Sequence, residues 1–112
     1  LFLNNPETAL LENLCALTLF KKYGNGLFYY SRNVEVDFYV PEESLAVQSC
    51  YRMSDGTTVE REVKALVALN SLYPLNKAMI MTYEDEDSIE KDGLHIDVVP
   101  VWKWLVECGA AD

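Results

Sequence analysis

The chain has 112 residues, of which 50% are hydrophobic and 24% are charged, a composition typical of one folded domain with a modest core. Its net charge of −9 opposes general affinity for nucleic acid, because that affinity depends on Lys and Arg neutralising phosphates. Charges interrupt every apolar run before it reaches the roughly 18 residues of a membrane span. Three cysteines without a C-x-x-C pair argue against a disulfide framework and a zinc knuckle.

The amino-terminal stretch LFLNNPETALLENL has neither a basic region nor a small-residue cleavage site, so it does not read as a signal peptide. Because it also lacks an initiator Met, we expect residues 1–112 to form a single domain cut from a longer protein. Cys15 lies within an apolar helical run and Cys50 within a predicted strand, and we expect both to be small buried side chains in a reducing, cytoplasmic environment.

Asn5, Pro6 and Glu7 form a good helix start, and the pattern predicts a helix from Pro6 to Tyr23 that stops at Gly24. Its middle, LLENLCALTLF, is apolar nearly all round, which predicts a largely buried helix. Glu12 interrupts that surface. An ionised acid facing a core is costly unless it is paired or binds a metal.

Three strands are predicted next, LFYYS, VEVDFYV and LAVQSCYRM, separated by the turns SRN and PEES. Side chains alternate between the two faces of a strand. In the second strand this rule places Glu35, Asp37 and Tyr39 on one face and Val34, Val36, Phe38 and Val40 on the other. In the third strand, Ala46, Gln48, Cys50 and Arg52 share a face opposite Leu45, Val47, Ser49 and Tyr51.

The second half of the chain begins with a helix predicted over about 59–72, with Glu60, Arg61 and Lys64 turned outward. KAMIMTY follows as a strand of the type buried inside an α/β sheet. After the acidic run TYEDED, the sequence SIEK-DG-LHIDVV predicts a hairpin with an Asp-Gly turn. Pro100 opens a final helix, VWKWLVE, that Gly109 is expected to close.

Several chemistries find little support in the sequence. His95, the only histidine, is expected to be an exposed hairpin residue, because a catalytic triad would need partners that nothing indicates. The acidic run lacks the ligand spacing of a calcium loop, and no G-x-x-x-x-G-K-[ST] loop is present to bind a nucleotide. Trp102 and Trp104 are two residues apart on a helix, so they cannot both face one stacking platform.

One set of residues could carry chemistry: Glu12 on the first helix, Asp37 in the second strand and Gln48 in the third. Metal-dependent phosphodiester cleavage needs oxygen ligands and a cation that stabilises the transition state. An acid on one strand and acid-x-lysine on its neighbour supply both, since residues two apart share a face. Here Cys50 occupies the lysine position. The order α-β-β-β-α-β with these positions resembles the PD-(D/E)xK, restriction-endonuclease-like α/β (α+β) fold with a mixed sheet, extended by a hairpin and a short helix.

A closer resemblance covers about residues 10–105. The strings LLENLCALTLFKK, VEVDFYV, LAVQSCYRMSDGTTVEREVKALVAL and HIDVVPVWKWLVE resemble the carboxyl-terminal domain of a family of prokaryotic AAA-type ATPases, a domain of unknown function. The most specific words are Leu11-Glu12-Asn13, Glu35-Val36-Asp37-Phe38, Gln48-x-x-Tyr51, Arg61-Glu62 and Val99-Pro100-x-Trp102. The resemblance implies a nuclease-like domain attached to an ATPase, whose nucleotide site would lie outside this chain.

The resemblance also implies roles for individual residues. Glu12 and Asp37 match the helix acid and the first strand acid, and Gln48 matches the second strand acid, so these three would hold Mg²⁺ or Mn²⁺. Cys50 cannot supply the positive charge of the lysine. Arg52, two residues further along the strand, and Lys64 of the second helix are possible substitutes, although arginine is a poor base.

Three functions therefore stay open. The favoured hypothesis is a catalytically degenerate nuclease-like module, not itself an enzyme, that binds nucleic acid, a partner protein or its own ATPase domain. The second is an active metal-dependent nuclease with a relocated lysine. The third is a structural or dimerisation domain in which Glu12 only hydrogen-bonds backbone groups.

Overall fold

The computed structural model describes residues 6–111, with side chains up to residue 107. Within this range the chain forms three α-helices and six strands, which confirms the mixed α/β class. The helices are α1 (Pro6–Tyr23), α2 (Gly56–Leu72) and α3 (Val101–Ala111). The strands are β1 (Phe28–Ser31), β2 (Glu35–Val40), β3 (Leu45–Ser49), β4 (Lys77–Thr82), β5 (Asp87–Lys91) and β6 (Leu94–Pro100).

The strands form one sheet in the order β1-β2-β3-β4-β6-β5. The first three strands are antiparallel neighbours, as expected for short turns, whereas β3, β4 and β6 run parallel. Each parallel pair is joined through a longer connection, and α2 forms the crossover from β3 to β4. The sheet is therefore mixed, and β4 lies in its middle.

Helices cover both faces of the sheet. On one face α1 and α3 pack against alternate residues of β2, β3 and β4, and on the other face α2 packs against the intervening residues. The α1 and α3 core contains Leu11, Cys15, Leu19, Phe38, Val40, Leu45, Val47, Met79, Met81, Val101 and Trp104. The α2 core contains Val36, Ala46, Cys50, Val63, Ala65, Leu66, Leu69, Ala78, Ile80, Leu94, Ile96 and Val98.

The predicted bounds of α1 are confirmed, and Gly24 ends the helix with a left-handed φ of 54°. Its proposed N-cap, Asn5, lies outside the described residues. The expectation that α1 is largely buried is wrong. Three residues at four-residue spacing face the sheet, whereas Leu10, Leu17 and Phe20 remain more than half exposed, because α1 forms an outer layer with nothing in the described chain covering its far side.

The predicted faces of β2 are also wrong in part. Between Phe28 and Tyr30 of β1 the register to β2 shifts by one residue, which is the effect of a β-bulge. Val36 consequently packs in the α2 core, while Phe38 and Val40 pack in the α1 and α3 core. Simple alternation had placed all three on one face, and the extra residue of the bulge breaks that alternation.

Three element ends differ by three or more residues from the sequence predictions. Strand β3 ends at Ser49 rather than Met53, and the Asp85 carboxylate, not a strand neighbour, accepts the Met53 N–H at 2.8 Å. Helix α2 begins at Gly56, where the Asp55 side chain caps it by accepting the Thr58 N–H. Helix α3 continues past Gly109 to Ala111, because a glycine ends a helix only where the backbone turns left-handed.

Other predictions are confirmed. Strand β4 is buried from Ala78 to Thr82, as its continuous apolar sequence indicated. The Asp92-Gly93 turn joins β5 to β6 with φ of 49° and 82°, the values of a type I′ hairpin turn. In the range that the structure describes, no helix is long and apolar enough to cross a membrane.

Candidate functional site

A wide cleft of about 1160 Å³ opens between the start of α1, the bulged part of β2 and the first half of α2. All of the predicted metal-site residues except Gln48 line it, together with Arg61 and with Glu62, an acid that the sequence did not single out. The lining acids are Glu12, Glu35, Asp37, Asp55 and Glu62, and the lining bases are Arg52, Arg61 and Lys64.

Asp37 lies at the bulge of β2 and points its carboxylate at β3. One carboxylate oxygen, Oδ2, accepts the Ser49 N–H at 2.9 Å and the Ser49 hydroxyl at 3.2 Å. Burial raises the pKa of Asp37 and the Ser49 hydrogen bonds oppose this; of the nearby charges, Glu35 raises the pKa and Arg61 lowers it. The side chain is thus anchored to the neighbouring strand by one of its two oxygens.

Gln48 lies on the α2 side of β3 and is 1% exposed. Its Oε1 accepts the Asp37 N–H at 2.8 Å, and its Nε2 donates to the Glu35 carbonyl at 3.1 Å and to the Glu62 carbonyl at 3.4 Å. The amide therefore joins β2, β3 and α2, and both ends of it are hydrogen-bonded to backbone. A buried amide with these bonds belongs to the framework of the fold.

Asp37 and Gln48 act reciprocally where the β2–β3 ladder is interrupted. The regular pairing between these strands covers Phe38–Val47, Tyr39–Ala46 and Val40–Leu45. Beyond it, the Gln48 side chain accepts a hydrogen bond from the Asp37 N–H of β2, and the Asp37 side chain accepts one from the Ser49 N–H of β3. Buried backbone groups must find partners, and here side chains supply them.

Cys50, which occupies the lysine position just after the end of β3, supplies no positive charge to the cleft. Cys50 is 3% exposed in the α2 core, and its thiol donates to the Arg52 carbonyl at 3.3 Å. Burial is the main cause that raises its pKa to about 11, so it is a small buried side chain, as predicted. Cys15 is likewise free and buried.

The prediction that Arg52 shares the face of Gln48 and Cys50 is wrong, because β3 ends at Ser49. The Arg52 guanidinium lies 5.2 Å from the centre of the Tyr51 ring and 3.8 Å from the Glu7 carboxylate of α1. It therefore stands at the α1 rim of the cleft. The Tyr51 ring in turn stacks on Tyr83, with ring centres 5.0 Å apart.

Glu62 is the site residue that the sequence reading missed. Its side chain is 12% exposed and 3.8 Å from Arg61. Burial first, and then the charge of Asp37, raise its pKa to about 8, against the smaller lowering effect of Arg61. The signal was present: Glu62 lies three residues after Val59 and four before Leu66, which places it on the apolar stripe of α2.

The acids of the cleft influence one another across three elements. Glu12 is an exposed residue of α1, yet partial burial and then the charge of Asp37 raise its pKa. The charge of Glu12 in turn contributes to the raised pKa of Glu62. Glu12, Asp37 and Glu62 thus form an acidic floor of the cleft, and ionising all three carboxyl groups together is unfavourable.

The remaining cations lie along α2. Arg61 is exposed, pairs with Glu62, and lowers the pKa of both Glu62 and Asp37. Lys64 is exposed at the rim, consistent with the outward direction that its helix position predicted. Of the two proposed lysine substitutes, Lys64 therefore borders the cleft from α2 and Arg52 borders it from the side of α1.

Of the three predicted metal ligands, Glu12 and Asp37 line the cleft and Gln48 does not. Gln48 turns its oxygen into the sheet toward the Asp37 N–H, whereas a ligand must turn it toward the ion. Within residues 6–107, no group of three or more His, Cys, Asp or Glu side chains is arranged to hold a metal ion. A Glu12 and Asp37 site would thus lack its third predicted ligand.

Residues outside the cleft take the positions expected of them. His95 is exposed on β6, between the carboxylates of Glu90 and Asp97, and its hydrogen bonds to them raise its pKa. Trp104 is buried and its Nε1–H donates to Thr18 of α1 at 3.2 Å, whereas Trp102 is 55% exposed. The two indoles face different surroundings, as their spacing indicated.

The chain is 40% identical over 107 residues to a protein of Methanocaldococcus jannaschii named "Uncharacterized protein MJ1544", a match that covers 85% of this chain. The chain spans 24% of that relative's length. No protein-family model matches the chain, and no solved structure matches it.

Proposed function

We propose that this domain is a nuclease-like accessory module of an AAA-type ATPase whose site no longer hydrolyses phosphodiesters and instead serves binding or regulation. In support, α1, the three antiparallel strands, α2 and β4 follow the order α-β-β-β-α-β. Asp37 of β2 and Glu12 of α1 face one cleft, and Gln48 occupies the next strand. Such an arrangement fits a PD-(D/E)xK-like fold.

The main support for the proposed loss of activity is the set of hydrogen bonds that Gln48 makes. Its amide is committed to two backbone groups of β2 and one of α2. The residue at the lysine position, Cys50, is buried with a pKa of about 11. The β3 strand thus offers the cleft neither a metal ligand nor a cation, and both are needed to stabilise the charge that develops in phosphodiester cleavage.

The attachment to an ATPase rests on the resemblance and on length. The words Leu11-Glu12-Asn13, Gln48-x-x-Tyr51 and Arg61-Glu62 resemble the domain that follows the ATPase in such proteins. The matched part is 24% of the relative's length, so in that relative the module shares its chain with a much larger portion. Its own ATPase domain is then a natural partner.

The charges of the cleft favour a protein partner over nucleic acid. Five acids and three bases line it, and two of those bases, Arg52 and Arg61, lie within 3.8 Å of a carboxylate. A polyanion gains affinity from Lys and Arg that neutralise its phosphates. Here it would meet an acidic floor instead, whereas a basic segment of a protein would find complementary charge.

The test is cleavage of supercoiled plasmid and of single-stranded DNA in magnesium and in manganese, with Asp37→Ala as the paired variant. We expect no cutting by either protein. Cutting by the parent that is lost in Asp37→Ala would contradict the proposal and favour an active nuclease, in which Lys64 and Arg52 would be the next residues to replace.

Partner choice is tested separately. We expect no shift of DNA or RNA in a gel at low salt, the condition that most favours phosphate contacts. A shift that weakens steeply with salt and is reduced in Lys64→Ala would identify nucleic acid as the partner. For regulation, ATP turnover of the full-length relative should change when the segment matching this domain is deleted.

A further inference from the structure

The outward side of α1 carries a mostly apolar stripe, formed by Leu10, Leu17 and Phe20 with Asn13 among them, at spacings of three, four and three residues. Leu10, Leu17 and Phe20 are 69%, 67% and 58% exposed. At 3.6 residues per turn these positions form one stripe along the helix. A stripe of large apolar side chains at this spacing is the pattern by which one helix packs against another.

This outer stripe lies opposite the stripe that already packs on the sheet. Leu11, Cys15 and Leu19 are buried beneath α1, about half a helical turn from the exposed residues. Small side chains, Ala9 and Ala16, flank the outer stripe on one edge, so a second helix could approach closely. The described part of the chain supplies no element to cover this side.

We propose that a second copy of this chain covers the outer face of α1, with the two α1 helices antiparallel across a two-fold axis. The charges that flank the outer stripe select this direction: Glu7 lies in the first turn of α1 and Lys21 lies in its last turn. An antiparallel pair places acidic starts beside basic ends and also opposes the helix dipoles favourably. A parallel pair would align like charges.

The stripe itself is compatible with this symmetry. An axis passing near the middle of α1 brings Leu10 opposite Phe20 of the second copy and Asn13 opposite its Leu17. Each pairing then occurs twice, as an isologous interface requires. The central layers place an amide beside a leucine and the outer layers are wholly apolar, so most of the contact excludes water without burying a charge.

Helix α3 extends the same surface. It packs against α1 through the Trp104–Thr18 hydrogen bond, and its Trp102 and Val106 are 55% and 63% exposed. One helix pair alone falls short of the roughly 800 Å² per partner of a stable interface. Apolar side chains of α3 on the same layer supply additional area. The inference does not depend on the proposed function.

Sedimentation equilibrium over a wide concentration range tests this interface at about 0.15 M salt, where charges more than ~8 Å apart are screened. We expect a monomer–dimer equilibrium whose dissociation constant rises about a hundredfold in Leu17→Asp, since each dimer loses two apolar contacts and buries two charges. The matched control is Leu72→Asp, at an exposed leucine of α2 (56% exposed), which should leave the constant unchanged.

Leu17 is largely exposed, so its replacement should not unfold the domain, and circular dichroism with a urea transition checks this. Leu17→Gln, which adds no charge, provides a second variant and should weaken the dimer less. A chain that is monomeric at all concentrations overturns the proposal, and the face would then belong to another segment of a longer polypeptide. A dimer that is indifferent to both Leu17 variants overturns it as well.

Charge reversal tests the direction of the helices. Lys21→Glu and Glu7→Lys should each weaken the dimer several-fold, and the double variant should recover affinity, because the two positions face each other across an antiparallel pair. Failure of the double variant to recover would rule out the antiparallel arrangement.

Discussion

The junction around Gln48 and the cleft floor around Glu62 are neighbouring regions that differ in how well their polar side chains are paired. Gln48 is 1% exposed, and both ends of its amide are hydrogen-bonded. The Glu62 side chain is 12% exposed, and because it is partly buried among acids its pKa rises to about 8. A satisfied buried group stabilises the fold, whereas a crowded buried acid destabilises it once ionised.

The largest expected effect is at the Gln48 junction. Gln48→Ala should lower the free energy of unfolding by about 3 kcal/mol, because it leaves the buried Asp37 N–H without its acceptor, removes the bonds that Nε2 donates to two carbonyls and opens a cavity. Urea unfolding measures this loss. The matched control is Asn33→Ala, at an exposed amide on the rim of the same cleft, which should change stability by less than about 0.5 kcal/mol. An equal effect of both variants would remove the distinction between the two regions.

At the cleft floor, we expect Glu62 to make stability depend on pH. Its folded pKa of about 8 lies above the ordinary 4.5, so between these values the folded state holds a proton that the unfolded state has released. Stability therefore falls as pH rises through this window, by up to ~1.4 kcal/mol per pH unit, and levels off above the folded pKa. Glu62→Gln should remove most of that slope and be more stable than the parent at pH 8.

Unfolding curves from pH 5 to pH 9 provide the measurement for Glu62. Glu60→Gln on the same helix is the control, because Glu60 is exposed and should leave the slope unchanged. If the parent and Glu62→Gln have parallel pH profiles, Glu62 ionises without cost and the cleft floor is not crowded with charge.

A smaller effect is expected at Asp37, which belongs to both regions. Asp37→Asn keeps an oxygen to accept the Ser49 N–H and removes a charge that raises the pKa of Glu62. Its stability at pH 8 should match or exceed that of the parent. Asp37→Ala loses the acceptor and should be about 1–2 kcal/mol less stable than Asp37→Asn. A strong loss in Asp37→Asn would mean that the negative charge itself is needed.

Local signals in the sequence were sufficient for much of the fold. Pro6, the lysines of the last turn and Gly24 fixed the bounds of α1. Asp92-Gly93 located the hairpin, and the unbroken apolar run of β4 indicated its central position. These features depend on residues close together in the chain, and so a single sequence reports them.

Features that depend on distant partners were not predictable. The bulge at Asp37 arises between β1 and β2, so alternation within β2 could not reveal it. The apolar sequence of α1 predicted burial, but it cannot tell an internal contact from one made with another molecule. Sequence also grouped Glu12, Asp37 and Gln48 by type, whereas the direction in which the Gln48 amide points depends on tertiary structure.

The most direct measurement is the urea unfolding midpoint of Gln48→Glu, with and without millimolar magnesium. This change restores the acid that a PD-(D/E)xK strand would carry, but it also places a carboxylate against the Glu35 and Glu62 carbonyls that now accept hydrogen bonds from Nε2. If Gln48 is a framework residue, the variant should lose several kcal/mol of stability, and magnesium should not restore it. The contradicting result would be a variant as stable as the parent whose unfolding midpoint rises with magnesium. A ligand that binds only the folded state raises the midpoint in this way, so position 48 would then be a metal ligand.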